Sequence, residues 1–159
     1  MSRKRRLGDS RRMQHPTPPT RVFLADDSAL SRSRVAAMLL NQGMEIAGQA
    51  DTPELAVTGI LATQPDVAVL DVQFERGTGM QVLQAVLKAT RDIPFIVLSN
   101  HAEPAYRARY LAAGAACFLD KHTEFYQLAG QVKAVAPLSQ PRTFHQPVSS
   151  SQPKEPSCP

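Results

Sequence analysis

Residues 65–79 read PDVAVLDVQFERGTG. Pro65-Asp66 marks a turn, and the unbroken apolar run Val67, Ala68, Val69 and Leu70 predicts a short strand buried on both faces, the pattern of a parallel sheet. The run stops on a carboxylate, Asp71, and Gly77 and Gly79 are expected to loosen the loop that follows. In open α/β sheets, ligands bind outside the carboxyl ends of the strands, which would place Asp71 at the edge of a site. An aspartate after a strand also opens turns for purely local reasons. The flanking sequence has to separate the two.

Upstream, Val22–Ala25 of RVFLADDS predicts a first strand that ends on two adjacent carboxylates, Asp26 and Asp27. Ser28 can cap a helix with Val35, Met38 and Leu39 as its apolar stripe and Gly43 as its stop. Met44–Ala47 predicts a second strand, and Thr52-Pro53-Glu54 starts a helix facing inward with Val57, Ile60 and Leu61. Gly59 should cost that helix stability. Downstream, Met80, Leu83, Val86 and Leu87 trace one helical face. Ile93–Leu98 predicts a fourth strand, running into Ser99, and Glu103-Pro104 opens a fourth helix closed by Gly114. Tyr106 and Tyr110 of that helix are four apart and expected to pack as a pair. Ala116–Leu119 predicts a fifth strand with Lys121 just past its end, followed by a helix bearing Phe125, Leu128, Val132 and Val135. Five strand–helix units imply a parallel sheet with right-handed crossovers and helices on both faces.

At 159 residues and 43% apolar, the chain suits one domain with its own core. Cys117, in an apolar run, and Cys158, near the end, do not suggest a disulfide framework, so a reducing cytoplasm is the expected compartment. No apolar stretch approaches the ~20 residues that span a bilayer, and no membrane insertion is expected. The net charge of +4 is local: seven basic residues against Asp9 give residues 1–21 a charge of +6, leaving −2 for the remainder. Residues 1–20 are therefore expected to form a disordered basic arm able to contact phosphates, and Met13 offers a second start that would omit most of it. From Pro137, six prolines lie among Ser and Gln, so residues 137–159 are expected to be disordered. The folded domain is expected at 21–136.

Four of the five strand ends carry chemistry: Asp26 and Asp27, then Asp71, then Ser99, then Lys121. Three crowded carboxylates repel by several kcal/mol at an effective dielectric of about 20, so such a site calls for a hard dication, and an all-oxygen donor set favours Mg²⁺. Lys121 and the Ser99 hydroxyl add groups able to bind a phosphoryl group beside a nucleophilic carboxylate. His101, in the adjoining loop, is read as solvent-facing.

The segments VFLADDS, VAVLDVQFERGTGMQVL, FIVLSN and AAGAACFLDK resemble, as a set, the receiver domain of bacterial two-component response regulators, over about residues 20–136. The resemblance implies a flavodoxin-like, doubly wound five-stranded parallel sheet in order 2-1-3-4-5 with five helices. It implies Asp71 as phosphoacceptor and Asp26, Asp27, Asp71 and the Gln73 carbonyl as Mg²⁺ ligands. It gives Ser99 and Lys121 as phosphoryl-binding groups, and Ser99 with Phe118 as the switch pair. Glu75, Asn100 and His122 depart from the family pattern, which usually has Pro, a small residue and Pro there. A haloacid dehalogenase-type phosphatase would need an Asp where Gln73 stands. The expected function is that of a stand-alone response regulator. It would take a phosphoryl group from a histidine kinase or phosphotransferase, catalyse only its own modification, and signal to a downstream effector by protein contacts. A nucleic-acid-binding adaptor working through the basic arm is the alternative, though specific nucleic-acid binding is not expected.

Overall fold

A computed structural model describes residues 16–137; the basic run before residue 16 and the Pro-rich segment after 137, with Cys158, lie outside them. In order, the elements are β1 (Arg21–Ala25), α1 (Ala29–Asn41), β2 (Glu45–Ala50), α2 (Pro53–Thr63) and β3 (Val67–Leu70). They continue with α3 (Gly79–Ala89), β4 (Phe95–Ser99), α4 (Pro104–Ala112), β5 (Cys117–Asp120) and α5 (Leu128–Val135). All neighbouring strands are parallel, in the order β2-β1-β3-β4-β5. This is the flavodoxin-like order expected.

Strand residues alternate between two cores, as a side-chain period of 2 requires. Phe23, Ala25, Ala68, Leu70, Phe95, Val97 and Phe118 face α2, α3 and α4. Val22, Leu24, Val67, Val69, Ile96, Leu98 and Leu119 face α1 and α5. Because both faces are covered, β3 and β4 are buried along their whole length and read as continuous apolar runs. On α3, Leu83 and Val86 are fully buried, each contributing about 1.5–3 kcal/mol of transfer free energy. Thr78 and Gln81 start that helix with a reciprocal capping box, and Thr52 and Ser28 cap α2 and α1. Gly43 and Gly114 take positive φ where α1 and α4 stop.

Several boundaries differ from the sequence expectation. β2 does not stop at Ala47 but runs on to Ala50, with a register shift opposite Val22/Phe23. Gly48 is no breaker here: a Cβ on it would lie 2.7 Å from the Phe23 ring, and one on Gly59 would lie 2.6 Å from the same ring. The two glycines form the seat for Phe23, so the helix-propensity cost of Gly59 is offset by packing. β4 begins at Phe95, after Pro94, which has no N–H to give to a ladder. β5 is Cys117–Asp120, one residue later than expected, and the fifth helix opens with a 3-10 turn, Phe125–Gln127. The Tyr110 ring meets Phe118 at a tilt with centroids 5.9 Å apart, Tyr106 meets His101 at 6.5 Å, and Tyr106 packs against the core cluster that holds Tyr110. No helix among the described residues is long and apolar enough to cross a membrane.

Candidate functional site

β1 delivers Asp26 and Asp27 to the carboxyl edge of the sheet, β3 delivers Asp71, β4 ends on Ser99, and Lys121 follows β5. Hydrogen bonds between the strand exits keep these ends level: Asp71 N–H donates to the Ala25 carbonyl at 2.9 Å, and Lys121 N–H to the Ser99 carbonyl at 2.9 Å. Successive residues leaving a strand point to opposite sides, so Asp26 is buried and Asp27 exposed.

The Asp26 carboxylate is held by three donors. Its Oδ1 accepts the Ser28 N–H at 2.8 Å; its Oδ2 accepts the Ser31 hydroxyl at 2.6 Å and the Lys121 ammonium at 2.6 Å. Arg32 donates to the Asp26 main-chain carbonyl. Asp71 Oδ1 accepts the Val72 N–H at 2.6 Å, with a longer contact of 3.4 Å from Gln73 N–H, and its Oδ2 accepts Lys121 Nζ at 2.9 Å. Lys121 thus bridges two carboxylates with only 12% of its side chain exposed. At an effective dielectric near 20, each contact contributes about 6 kcal/mol of attraction. Desolvating each ion costs a similar amount, so the bridge fixes geometry more than it adds stability.

Burial pushes the Asp71 carboxyl above its ordinary value, outweighing the Lys121 charge and hydrogen bond that favour ionisation. Burial alone would lower the Lys121 ammonium, but its hydrogen bond to Asp26 and the charge and hydrogen bond of Asp71 hold it above its ordinary value. Carboxylate oxygens of Asp26, Asp27 and Asp71 lie within 4.8 Å of one another. With Lys121 opposite three carboxylates the cluster is net −2, and its donors are all oxygen, which suits a hard dication.

Two clefts open over Asp71. One, of about 560 Å³, is lined by Asp26, Asp27, Ser31, Lys121, His122 and Phe125 among others. The other, of about 330 Å³, is lined by Asp27, Gln73, Glu75, Asn100 and His101. Ser99 is fully buried, its hydroxyl accepts the His101 N–H at 3.1 Å, and Asn100 rather than Ser99 lines both clefts. Phe118 points inward, 2% exposed, against Tyr110. His101 is exposed, as expected.

Gly79 does not loosen the Asp71 loop; it clamps it. A Cβ there would lie 2.0 Å from the Asp71 carbonyl oxygen, and the Gly79 N–H donates to the Val72 carbonyl at 2.8 Å. Gly77, at φ +104°, does serve the turn. The sequence pattern did not single out Ser31, Arg32, Arg107 or Glu124. Ser31 and Arg32 carry a local signal, since a helix capped two residues after Asp26 turns its first residues back toward that carboxylate.

The model of the response regulator receiver domain family matches residues 22–133. The chain belongs to that family. As a receiver domain it is 31% identical over 114 residues to the transcriptional regulatory protein YvfU of Bacillus subtilis, covering 71% of this chain and 57% of YvfU. It is 39% identical over 95 residues to a protein-glutamate methylesterase of Anaeromyxobacter dehalogenans, covering 57% of this chain and 26% of that protein. Among solved structures, the signal receiver domain of NarL from Mycobacterium tuberculosis superposes with a TM-score of 0.69 at 34% identity, covering 74% of this chain and 96% of that one. The chain spans about half the length, or less, of these curated relatives.

Proposed function

We propose that this receiver domain accepts a phosphoryl group on Asp71 from a histidine kinase or phosphotransferase and passes the signal to an effector by protein contacts. The observation that carries the reading is the Lys121 ammonium held between the Asp26 and Asp71 carboxylates at the floor of an open cleft. An Asp71 carboxylate oxygen attacks the donor phosphorus; the new O–P bond forms as the donor's P–N bond breaks, and the imidazole leaves with the electron pair. Lys121 then turns from Asp71 to the added phosphoryl oxygens, while Ser28 N–H and Ser31 keep Asp26 in place. Asp26, Asp27, Asp71 and the Gln73 carbonyl would hold Mg²⁺, which would neutralise charge on the phosphoryl and carboxylate oxygens. Water hydrolyses the acyl phosphate in the same cleft, so the domain turns over only its own modification.

For the outgoing signal, the Ser99 hydroxyl turns to donate its O–H to the new anion, and Phe118 turns into the space released. Incubation with acetyl phosphate and Mg²⁺, followed by intact mass, tests the reading. One phosphoryl group should be added, and none to Asp71→Asn or with the cation chelated. Full labelling of Asp71→Asn would assign the acceptor elsewhere.

A further inference from the structure

Arg107 on α4 and Glu124 in the turn after β5 line neither cleft, yet their contacts converge on the segment that carries Lys121. Arg107 Nη1 donates to the Phe118 carbonyl at 2.8 Å, and Nη2 to Glu124 Oε2 at 2.8 Å. The guanidinium also lies 5.3 Å from the centre of the Phe118 ring. The same Glu124 oxygen accepts the Asp120 N–H at 2.8 Å. Asp120 is fixed twice more, its carbonyl accepting the Glu124 N–H at 2.8 Å and its Oδ1 the His122 N–H at 2.7 Å. Both neighbours of Lys121 are therefore tied down, and the tie ends on Arg107.

A lysine needs such a root. Its side chain has four rotatable bonds, and placing Nζ 2.6 Å from one carboxylate and 2.9 Å from another from a freely moving turn would cost much of its rotamer freedom. We infer that Arg107 and Glu124 are positioning residues for the reaction proposed above, acting through Lys121 by fixing the turn from which it reaches the two carboxylates. The inference rests on Asp71 being the acceptor. The Arg107 hydrogen bond, followed by that from Asp120 N–H, holds the Glu124 carboxyl below its ordinary value, so the tie stays charged at neutral pH. Arg107 suits the role because its planar fork serves the Phe118 carbonyl and Glu124 at once. An ion pair this exposed adds little stability, so its position in the turn matters more than its strength.

The test is a double-mutant cycle on the rate at which acetyl phosphate with Mg²⁺ labels Asp71 in the full chain. Arg107→Gln should slow labelling about tenfold or more, within the roughly hundredfold that a misplacement of about 1 Å can cost. In a Lys121→Ala background, Arg107→Gln should slow it no further. Arg107→Lys, which can reach Glu124 but cannot fork to Phe118, should fall between. Hydrogen exchange at the Asp120 and His122 amides of the unphosphorylated protein should quicken in Arg107→Gln, which reads the tie without any chemistry. Equal slowing in both backgrounds, or none in either, with Asp71 labelled normally in the wild type, would overturn the inference alone. A wild type that takes no phosphoryl group would overturn the Asp71 reading and with it this role for Arg107.

Discussion

Replacing Gly79 by Ala should destabilise the domain, although Ala is the better helix former. The added Cβ would lie 2.0 Å from the Asp71 carbonyl oxygen and 3.2 Å from Leu70 Cγ. Ordinary contact would need a shift of about 1 Å or more. Neither side yields easily, because Asp71 is bonded to Ala25 and Gly79 to Val72. Overpacking costs about 1–3 kcal/mol. Losing the Gly79–Val72 bond adds about 0.5–1.5 kcal/mol, and the propensity gain of Ala returns about 1 kcal/mol. The net loss is about 0.5–3.5 kcal/mol, or roughly 1 M in a urea midpoint. Two further glycines calibrate the series. Gly130 in α5 has nothing within 4 Å of where a Cβ would sit, so Gly130→Ala should stabilise by up to about 1 kcal/mol. Gly59→Ala enjoys the same helical gain but meets a Phe23 ring that Gly48 stops from retreating, so it should come out destabilised. Urea denaturation followed by circular dichroism ranks the three. A Gly79→Ala midpoint at or above that of Gly130→Ala would refute the packing argument.

Asp71→Asn should raise the denaturation midpoint at pH 7. Burial raises the folded-state pKa of Asp71, so the folded protein loses stability as pH rises from the unfolded value through the folded one. The gain from Asn should shrink toward pH 4, and a lower midpoint at pH 7 would contradict it. Glu124 has the opposite sign: its depressed pKa gives stability that is present above its ordinary value and lost as pH falls through the folded value. The advantage of the wild type over Arg107→Gln should therefore narrow in acid, as thermal scans across pH can show. Mg²⁺ at a hundred times its dissociation constant should stabilise the domain by about 2.7 kcal/mol, and Asp27→Ala should largely abolish that thermal shift.

The elements that local pattern specifies were legible in the sequence. Val67–Leu70 is the strand its apolar run predicts, and the caps at Ser28 and Thr52 lie where hydroxyl residues precede helical periodicity. The meeting of Asp26, Asp71 and Lys121 follows from strand ends in a parallel sheet, so it too was accessible from the sequence. What escaped depends on pairs far apart in the chain. Gly59 looks like a flaw until the Phe23 ring is seen against it, and Gly79 looks loose until the Asp71 carbonyl is seen against it. Arg107 and Glu124, 17 residues apart, carry no periodic signal linking them. Ser99 was expected among the cleft-lining groups, but β4 buries it to its last residue and leaves Asn100 at the mouth.

The assignment of Asp71 is tested most directly by trapping the acyl phosphate. After incubation with acetyl phosphate and Mg²⁺, borohydride reduces an aspartyl phosphate to homoserine, and peptide sequencing by mass spectrometry locates it. Homoserine should be found at position 71, and only when Mg²⁺ is present. Homoserine at position 26 or 27, or a phosphoryl group that survives on a serine, would contradict the assignment.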